Sequence, residues 1–316
     1  MKYLITGSSG FIGQHVIRLL RDAGQEVVGL SRRTHATSNA SRVMLCNLEE
    51  DPPRLAEILG EVKPDAVIHL AATTFEPRAT SVPWQVLQNN LRSTLNLLTV
   101  SRSIVPAARI LIVSSGAVYG RSDPVAGRIT ESCVPSPLTI YGVSKLSCEA
   151  LALQHHRAHN QKVIIARPFN LTGPGEHAVF ATSAFARQIA QIEAGKRPPV
   201  LRVGQLDTTR DFTDVRDVAD ALIRLAGAGR LGEIYNVCSG VGIAMSAVVT
   251  ALLQSAKAQI AIAQDPALMR PVEIPNQVGD PTKISGEMGW ARKYVLDNTL
   301  SDVLIDWRER IQMEND

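Results

Sequence analysis

From its N-terminus the chain alternates short, continuously apolar runs with longer stretches in which apolar residues recur every three or four positions. The runs at residues 2–6, 26–30, 43–45, 66–71, 109–114 and 163–166 have no polar alternate face. That pattern predicts strands buried on both sides rather than half-exposed ones. Between them the helical period predicts helices over 11–23, 53–59, 86–100 and 141–156, with Gly24 closing the first. Strands and helices in this alternation predict an α/β fold, a Rossmann-like doubly wound parallel sheet with helices on both faces.

After Pro168 the pattern changes. A Thr172-Gly173-Pro174-Gly175 loop leads to an amphipathic helix near 182–194, the segment Lys196-Arg197-Pro198-Pro199 and a strand at 200–203. A helix at 215–226, with Asp214 as N-cap, and a strand at 233–237 read as a return to the sheet. The segments 245–255 and 266–281 and a helix near 300–308 complete the chain. The expected division is a dinucleotide domain over 1–169 with return segments near 212–240, and a substrate lobe from 170–211 and 241–316. Such a lobe would lie over the C-terminal ends of the strands, where open α/β sheets bind ligands.

Composition narrows the classes. With 316 residues, 45% hydrophobic and 20% charged, the chain reads as an ordinary globular protein. A net charge of +3 is too small to imply nucleic acid or a membrane surface, and 4% aromatics leave few platforms for stacked bases. Cys46, Cys133, Cys148 and Cys238 are widely spaced, which disfavours disulfide or zinc modules and fits a reducing compartment. No leader-like segment stands before the first strand, and no apolar run reaches the roughly 18 residues of a membrane span. The expectation is a cytoplasmic protein.

Three motifs carry chemistry. The first strand runs into Gly7-Ser8-Ser9-Gly10-Phe11-Ile12-Gly13 and opens a helix. Such a turn binds a dinucleotide pyrophosphate: Gly7 for the sharp turn, Gly10 for phosphate room, Gly13 for close helix packing. Tyr141 and Lys145 stand at i and i+4 on one helix face. A cation near a phenol favours the phenolate, as proton transfer by tyrosine requires. Upstream, Ser114-Ser115-Gly116-Ala117-Val118-Tyr119-Gly120 ends a strand in a hydroxyl-bearing loop at the same sheet edge.

Glycine turn, strand-end serine and YxxxK helix, in this order, resemble the extended short-chain dehydrogenase/reductases that act on nucleotide sugars. The resemblance spans nearly the whole chain. It implies Ser115, Tyr141 and Lys145 as catalytic residues and Asn90 as the family asparagine on the helix after the fourth strand. It implies cofactor contacts from Gly7, Ser9, Gly10, Phe11, Ile12 and Gly13, from Leu70, Ala71 and Ala72, and from Asn90, Tyr141, Lys145 and Pro168. Asn47 and Leu48 would lie at the adenine, Asn47 replacing the usual aspartate. Thr74, Ser115 and Asn170 would contact substrate. The stretch 183–217, with FARQIAQIEAGKRPPVLRVG and RDFTDVRD, and Arg270-Pro271-Val272-Glu273 resemble the GDP-4-keto-6-deoxymannose reductase branch. That implies Arg187, Arg202, Arg210 and Arg270 toward the substrate, Arg210 and Arg270 at its diphosphate, and Glu273 at a ribose hydroxyl.

Dehydratases of this superfamily carry an acid beside the catalytic hydroxyl, where this chain has Gly116 and Ala117, so dehydration is disfavoured. The expected reaction is reduction of a C4 ketone on a GDP-linked 6-deoxyhexose, to GDP-D-rhamnose or GDP-6-deoxy-D-talose. A nucleotide-sugar 4-epimerase needs the same Ser/Tyr/Lys set and stays open, and a non-catalytic dinucleotide sensor is disfavoured by that intact set. Arg32 and Arg33 end the second strand where NAD-specific folds place an acid, which favours NADPH with NADH possible. The resemblance implies a homodimer through the helix after strand four and the YxxxK helix; Leu91, Leu95 and Leu98 form a candidate apolar seam there, and core packing would use them equally well. His155, His156 and His159 read as a solvated face rather than a metal site, and Trp84, Trp290 and Trp307 as packing residues.

Overall fold

The structure is a computed structural model and describes residues 1–33, 42–74, 82–124, 127–269 and 274–314. Chain order runs β1 (Lys2–Thr6), α1 (Phe11–Asp22), β2 (Glu26–Ser31), β3 (Arg42–Leu45), α2 (Pro52–Val62), β4 (Ala66–His69), α3 (Pro83–Ile104), β5 (Arg109–Val113), α4 (Ile140–His159), β6 (Val163–Pro168) and β7 (Asn170–Thr172). It continues through α5 (Ala181–Glu193), β8 (Val200–Val203), β9 (Thr209–Asp214), α6 (Val215–Ala228), β10 (Ile234–Val237), β11 (Gly242–Ala244), α7 (Met245–Gln254), β12 (Ala261–Gln264), β13 (Asn276–Gln277), α8 (Thr282–Met288) and α9 (Leu296–Met313). Seven strands make one parallel sheet in the order β3-β2-β1-β4-β5-β6-β10. Strand order reverses between β1 and β4, and the crevice at their C-terminal ends is where doubly wound sheets bind ligands.

Continuous apolarity of the strands follows from two cores, one on each face. Tyr3 and Ile5 of β1 pack with Val16, Ile17, Leu222 and Leu225 of α1 and α6. Leu4, between them, packs with Ile58 of α2, Leu97 of α3 and Ile110 of β5. Successive side chains of a strand point to opposite faces, so a strand covered twice has no polar phase to display. Helices α2 and α4 run longer than their apolar periods predict, and caps mark where they begin. Asp51 accepts from Arg54 N with Pro52 opening α2, and Thr139 accepts from Gly142 N to open α4.

A third core lies in the C-terminal part, where Phe185 and Ile189 of α5, Val248 and Leu252 of α7 and Leu304 and Trp307 of α9 come together. There β9 pairs with β7, β11 and β13, and β8 with β12. Residues 282–290, expected in the lobe, instead return to the sheet: Ile284 and Trp290 join the core beneath α6, and Trp290 Nε1 donates to Asp217 O at 3.0 Å.

Several local expectations are corrected. His155 does not lie on a solvated face; it is buried, 2.9 Å from Gln161 Oε1. Trp84 is 70% exposed, whereas Trp290 and Trp307 do pack inside. Leu98 points into the sheet core and cannot join an outward seam with Leu95. Among the described residues, no helix is long and apolar enough to cross a membrane.

Candidate active site

The glycine turn sits at the β1/β4 switch. Gly7 adopts φ +67°, and a Cβ there would lie 2.8 Å from Ala71 N, so the turn rests on the backbone after β4. At Gly13 a Cβ would lie 2.4 Å from the Gly7 carbonyl oxygen, closer than any side chain tolerates. Gly10 caps α1 with no side-chain bond, leaving the amides of the first turn available to an anion. Ser8 Oγ donates to Leu30 O at 3.2 Å, and Ser9 Oγ lies 3.3 Å from Ser31 Oγ. The phosphate turn is thereby pinned to the end of β2, which carries exposed Arg32 and Arg33. These features fit a dinucleotide.

Thr6 ends β1 and starts a buried hydrogen-bond chain. Its Oγ1 accepts from Ala71 N at 3.1 Å and lies 2.9 Å from His69 Nδ1, while His69 Nε2 lies 3.2 Å from Thr94 Oγ1. Burial, reinforced by the nearby Lys145 cation, pushes the His69 imidazole down to about 3. His69 is therefore a neutral link between β4 and α3, not a proton donor. Asn90 Oδ1 accepts from Thr73 N at 2.7 Å, and its amide nitrogen donates to Thr73 O at 3.2 Å and Ser144 Oγ at 2.9 Å. That one side chain ties the loop Ala71-Ala72-Thr73-Thr74 to α4.

Backbone proximity brings together the three residues expected to be catalytic. Ser115 caps a single 3-10 turn, Gly116–Val118, its Oγ accepting from Ala117 N at 3.1 Å. A Cβ on Gly142 would lie 2.6 Å from Ala117 O, so the first turn of α4 rests directly on that loop. Lys145, buried, donates from Nζ to Val113 O at 2.8 Å and sits 5.9 Å from the centre of the Tyr141 ring. Tyr141, Lys145 and Ser115 therefore share the edge where β5 ends. Gly142 is what permits this, and the sequence reading missed it. A glycine directly after the tyrosine was the available signal.

Behind the trio lies a buried ion pair that sequence reasoning also missed. Glu149 of α4 accepts from Arg167 Nε at 2.9 Å and Nη2 at 2.6 Å, and Ser114 Oγ donates to the same carboxylate. Burial opposes the Arg167 charge, yet Glu149 holds its guanidinium well above the usual value. The Arg167 guanidinium stacks 4.7 Å from the Tyr119 ring centre. Neighbours of Ser115 are thus locked in place on two sides.

The lobe reaches the same edge. Gln277 Nε2 of β13 donates to Gly116 O at 3.0 Å, hooking the Ser115 turn to the lobe. Gly116 packs closely on Phe169: a Cβ would lie 3.1 Å from Phe169 Cγ, so the ring would have to give by a few tenths of an ångström. Pro168 ends β6 beside β10. On the next strand, β7, the Asn170 amide nitrogen is buried without a partner among the described residues, and so is Thr213 Oγ1 on β9, one register step away. Buried donors left open in this way point to a ligand that satisfies them. A cavity of about 270 Å³ opens nearby, lined in part by Gly120, Arg121, Ser122, Ile274, Asn276 and Val278. His15 Nε2 lies 2.9 Å from Pro174 O, docking the Thr172-Gly173-Pro174-Gly175 loop on α1 beside Phe11.

Not every expected substrate contact faces this edge. Arg187 is exposed on α5, 5.6 Å over the Trp307 ring, and Arg202 pairs with Asp265 at 3.7 Å across β8 and β12. Both are engaged within the lobe. Arg210 donates from Nη1 to Thr209 O at 2.9 Å and Ile274 O at 2.6 Å, bracing the backbone that leads to Gln277. Arg270 and Glu273 lie outside the described residues. Asn47 is held in its own turn, donating to Glu50 Oε2 at 2.9 Å and accepting from Glu49 N at 3.3 Å, with buried Leu48 beside it.

Comparison with known proteins shows the family and the fold. Residues 4–303 match the family described as GDP-mannose 4,6 dehydratase. The chain is 37% identical over 313 residues to "GDP-6-deoxy-D-mannose reductase" of Pseudomonas aeruginosa, covering 99% of both chains. It is 30% identical over 295 residues to "GDP-6-deoxy-D-talose 4-dehydrogenase" of Aggregatibacter actinomycetemcomitans, covering 92% of each. Its fold superimposes on the solved structure of RMD from P. aeruginosa complexed with NADPH with a TM-score of 0.87 at 36% identity, covering 98% of this chain and 100% of that one.

Proposed function

Because the chain belongs to the GDP-mannose 4,6-dehydratase family, we propose that it is an NADPH-dependent oxidoreductase. It reduces the C4 ketone of GDP-4-keto-6-deoxy-D-mannose to GDP-D-rhamnose, or to GDP-6-deoxy-D-talose if hydride reaches the other face. The observation that carries this reading is the catalytic turn itself. Ser115 caps this turn, the first turn of α4 with Tyr141 rests against it, and Gly116 and Ala117 occupy the positions where the family resemblance puts a dehydratase's acid.

When bound, the nicotinamide supplies a hydride, and the protein supplies position and a proton. Ser115 Oγ, already accepting from Ala117 N, has its own proton to donate to the substrate oxygen. Tyr141 protonates that oxygen as the carbonyl becomes an alkoxide, and the Lys145 ammonium, anchored on Val113 O, stabilises the tyrosinate left behind. First-turn amides of α1 and the exposed Arg32 and Arg33 suit the pyrophosphate and 2′-phosphate of NADPH, and NADH lacks only the latter. The unpartnered Asn170 amide suits a sugar or phosphate oxygen.

Exposed Trp84 and Leu95 of α3, with Ile140 and Val143 of α4, support a homodimer through these helices. Four buried free thiols suit the reducing cytoplasm. The function is tested by supplying GDP-4-keto-6-deoxymannose with NADPH and following the product by NMR. One NADPH oxidised per C4 alcohol formed supports the reductase. Interconversion of C4 epimers without net NADPH loss overturns it in favour of a 4-epimerase.

A further inference from the structure

The rim expected to hold the adenosine end carries charges of both signs. Glu49 follows Asn47 and Leu48 after β3, and its Oε1 lies 3.6 Å from Arg32 Nη1. The carboxylate is the fixed partner: its side chain is 19% exposed against 65% for Arg32. Helix α3 holds it from below. The Asn89 amide, with its nitrogen turned toward them, lies 3.0 Å from Glu49 Oε2 and 3.0 Å from Gln85 O. Asn96 Nδ2 donates to the backbone carbonyls of Leu48 and Glu49 at 2.8 and 3.3 Å. No ion-pair partner is found for Arg33 among the described residues.

We propose that Glu49 is a specificity-determining residue, an internal competitor that draws Arg32 away from a 2′-phosphate and so weakens the preference for NADPH over NADH. The inference rests on the reading that Arg32 and Arg33 receive that phosphate. A dianionic phosphate reaching Arg32 must displace the carboxylate and then lie beside it, and both effects oppose NADPH alone. NADH brings only ribose hydroxyls to the same place, for which a carboxylate is an acceptor. Exposed ion pairs of this kind are weak and screened by salt, so Glu49 adjusts the preference without reversing it.

The test measures dissociation constants of NADPH and NADH by nucleotide fluorescence, and of adenosine 2′,5′-bisphosphate and 5′-AMP by calorimetry. Glu49→Gln keeps the size and an oxygen acceptor but removes the charge. It is expected to tighten NADPH and the bisphosphate about 2–5-fold at low salt, as an exposed ion pair implies. NADH and 5′-AMP should be unchanged or slightly weakened, and the gain should shrink at high salt and vanish in an Arg32→Ala background. An unchanged NADPH/NADH affinity ratio in Glu49→Gln, or an equal shift in both, overturns the proposal. The arginine reading has a separate arm. If Arg32→Ala with Arg33→Ala leaves the ratio unchanged, the arginines do not read the phosphate and both ideas fall. If the ratio drops there but not in Glu49→Gln, only Glu49 is excluded.

Discussion

One added methyl group should have opposite effects at two glycines of this protein. Gly13 lies where α1 leaves the phosphate turn, and a Cβ there would stand 2.4 Å from Gly7 O, 3.0 Å from Ser8 O and 3.1 Å from Ser8 C. All three are backbone atoms, so no side chain can swing aside. Restoring ordinary contact near 3.4 Å requires α1 to retreat by about 1 Å from the turn. A hydrogen bond of ordinary length stretched by about 1 Å is lost. Two amide-to-phosphate bonds at about 1.5–3 kcal/mol each amount to about 3–6 kcal/mol, or 10²–10⁴-fold in affinity for NADPH. Because Val16, Ile17 and Leu20 fix α1 in the core, its retreat also costs about 1–3 kcal/mol of stability. At about 2.1 cal/mol/K per residue over 316 residues, 1 kcal/mol corresponds to about 1.5 °C, so Tm falls roughly 2–5 °C. Gly60, in α2, is the control: its Cβ would meet only Ile104 Cγ2 at 3.8 Å. Gly60→Ala should stabilise by about 0.5–1 kcal/mol and leave NADPH binding alone. Fluorescence titration and thermal melts measure both. Tight NADPH binding by Gly13→Ala, equal to the parent, would refute the close-approach argument.

Tyr141→Phe should lower the reductase rate about 10²–10⁴-fold while NADPH still binds, because it deletes a proton donor and leaves the turn of α1 intact; an unchanged steady-state rate would contradict that role. Glu149→Gln strands the buried Arg167 charge and should cost about 3–5 kcal/mol, or roughly 5–8 °C in Tm by the same conversion, whereas adding Arg167→Met should recover part of it. Equal melting of the two variants would show that the pair is not the source. Burial pushes the Glu176 carboxyl up to about 8, with the Thr172 and Thr182 hydroxyls opposing. The folded protein then keeps a proton that the unfolded chain releases near the ordinary carboxylate value, so this stability is full below about pH 4.5. It is lost as pH rises through about 8, at about 1.36 kcal/mol per unit. Glu176→Gln should flatten that decline by several °C between pH 5 and 9, and parallel Tm curves for variant and parent would disprove it.

What could be read from the chain alone was whatever repeats within a few residues. Continuous apolar runs marked six of the seven strands of the parallel sheet, because a strand in the middle of a sheet covered on both faces carries its burial in its own composition. The Gly7-Gly10-Gly13 turn and the Tyr141/Lys145 spacing are likewise local, and the structure places them at one sheet edge. Strand β9 was invisible, since Thr209–Asp214 shows no apolar alternation and exists through pairing with β7, β11 and β13. Long-range packing alone decided the fate of individual charges. Arg167 became half of a buried ion pair, Arg187 and Arg202 were taken up within the lobe, and Arg32 met a carboxylate from the turn after β3. A side chain's period tells which way it faces on its own element, but its partner comes from residues tens of positions away. Electrostatic and hydrogen-bond roles were therefore settled only once the chain had folded.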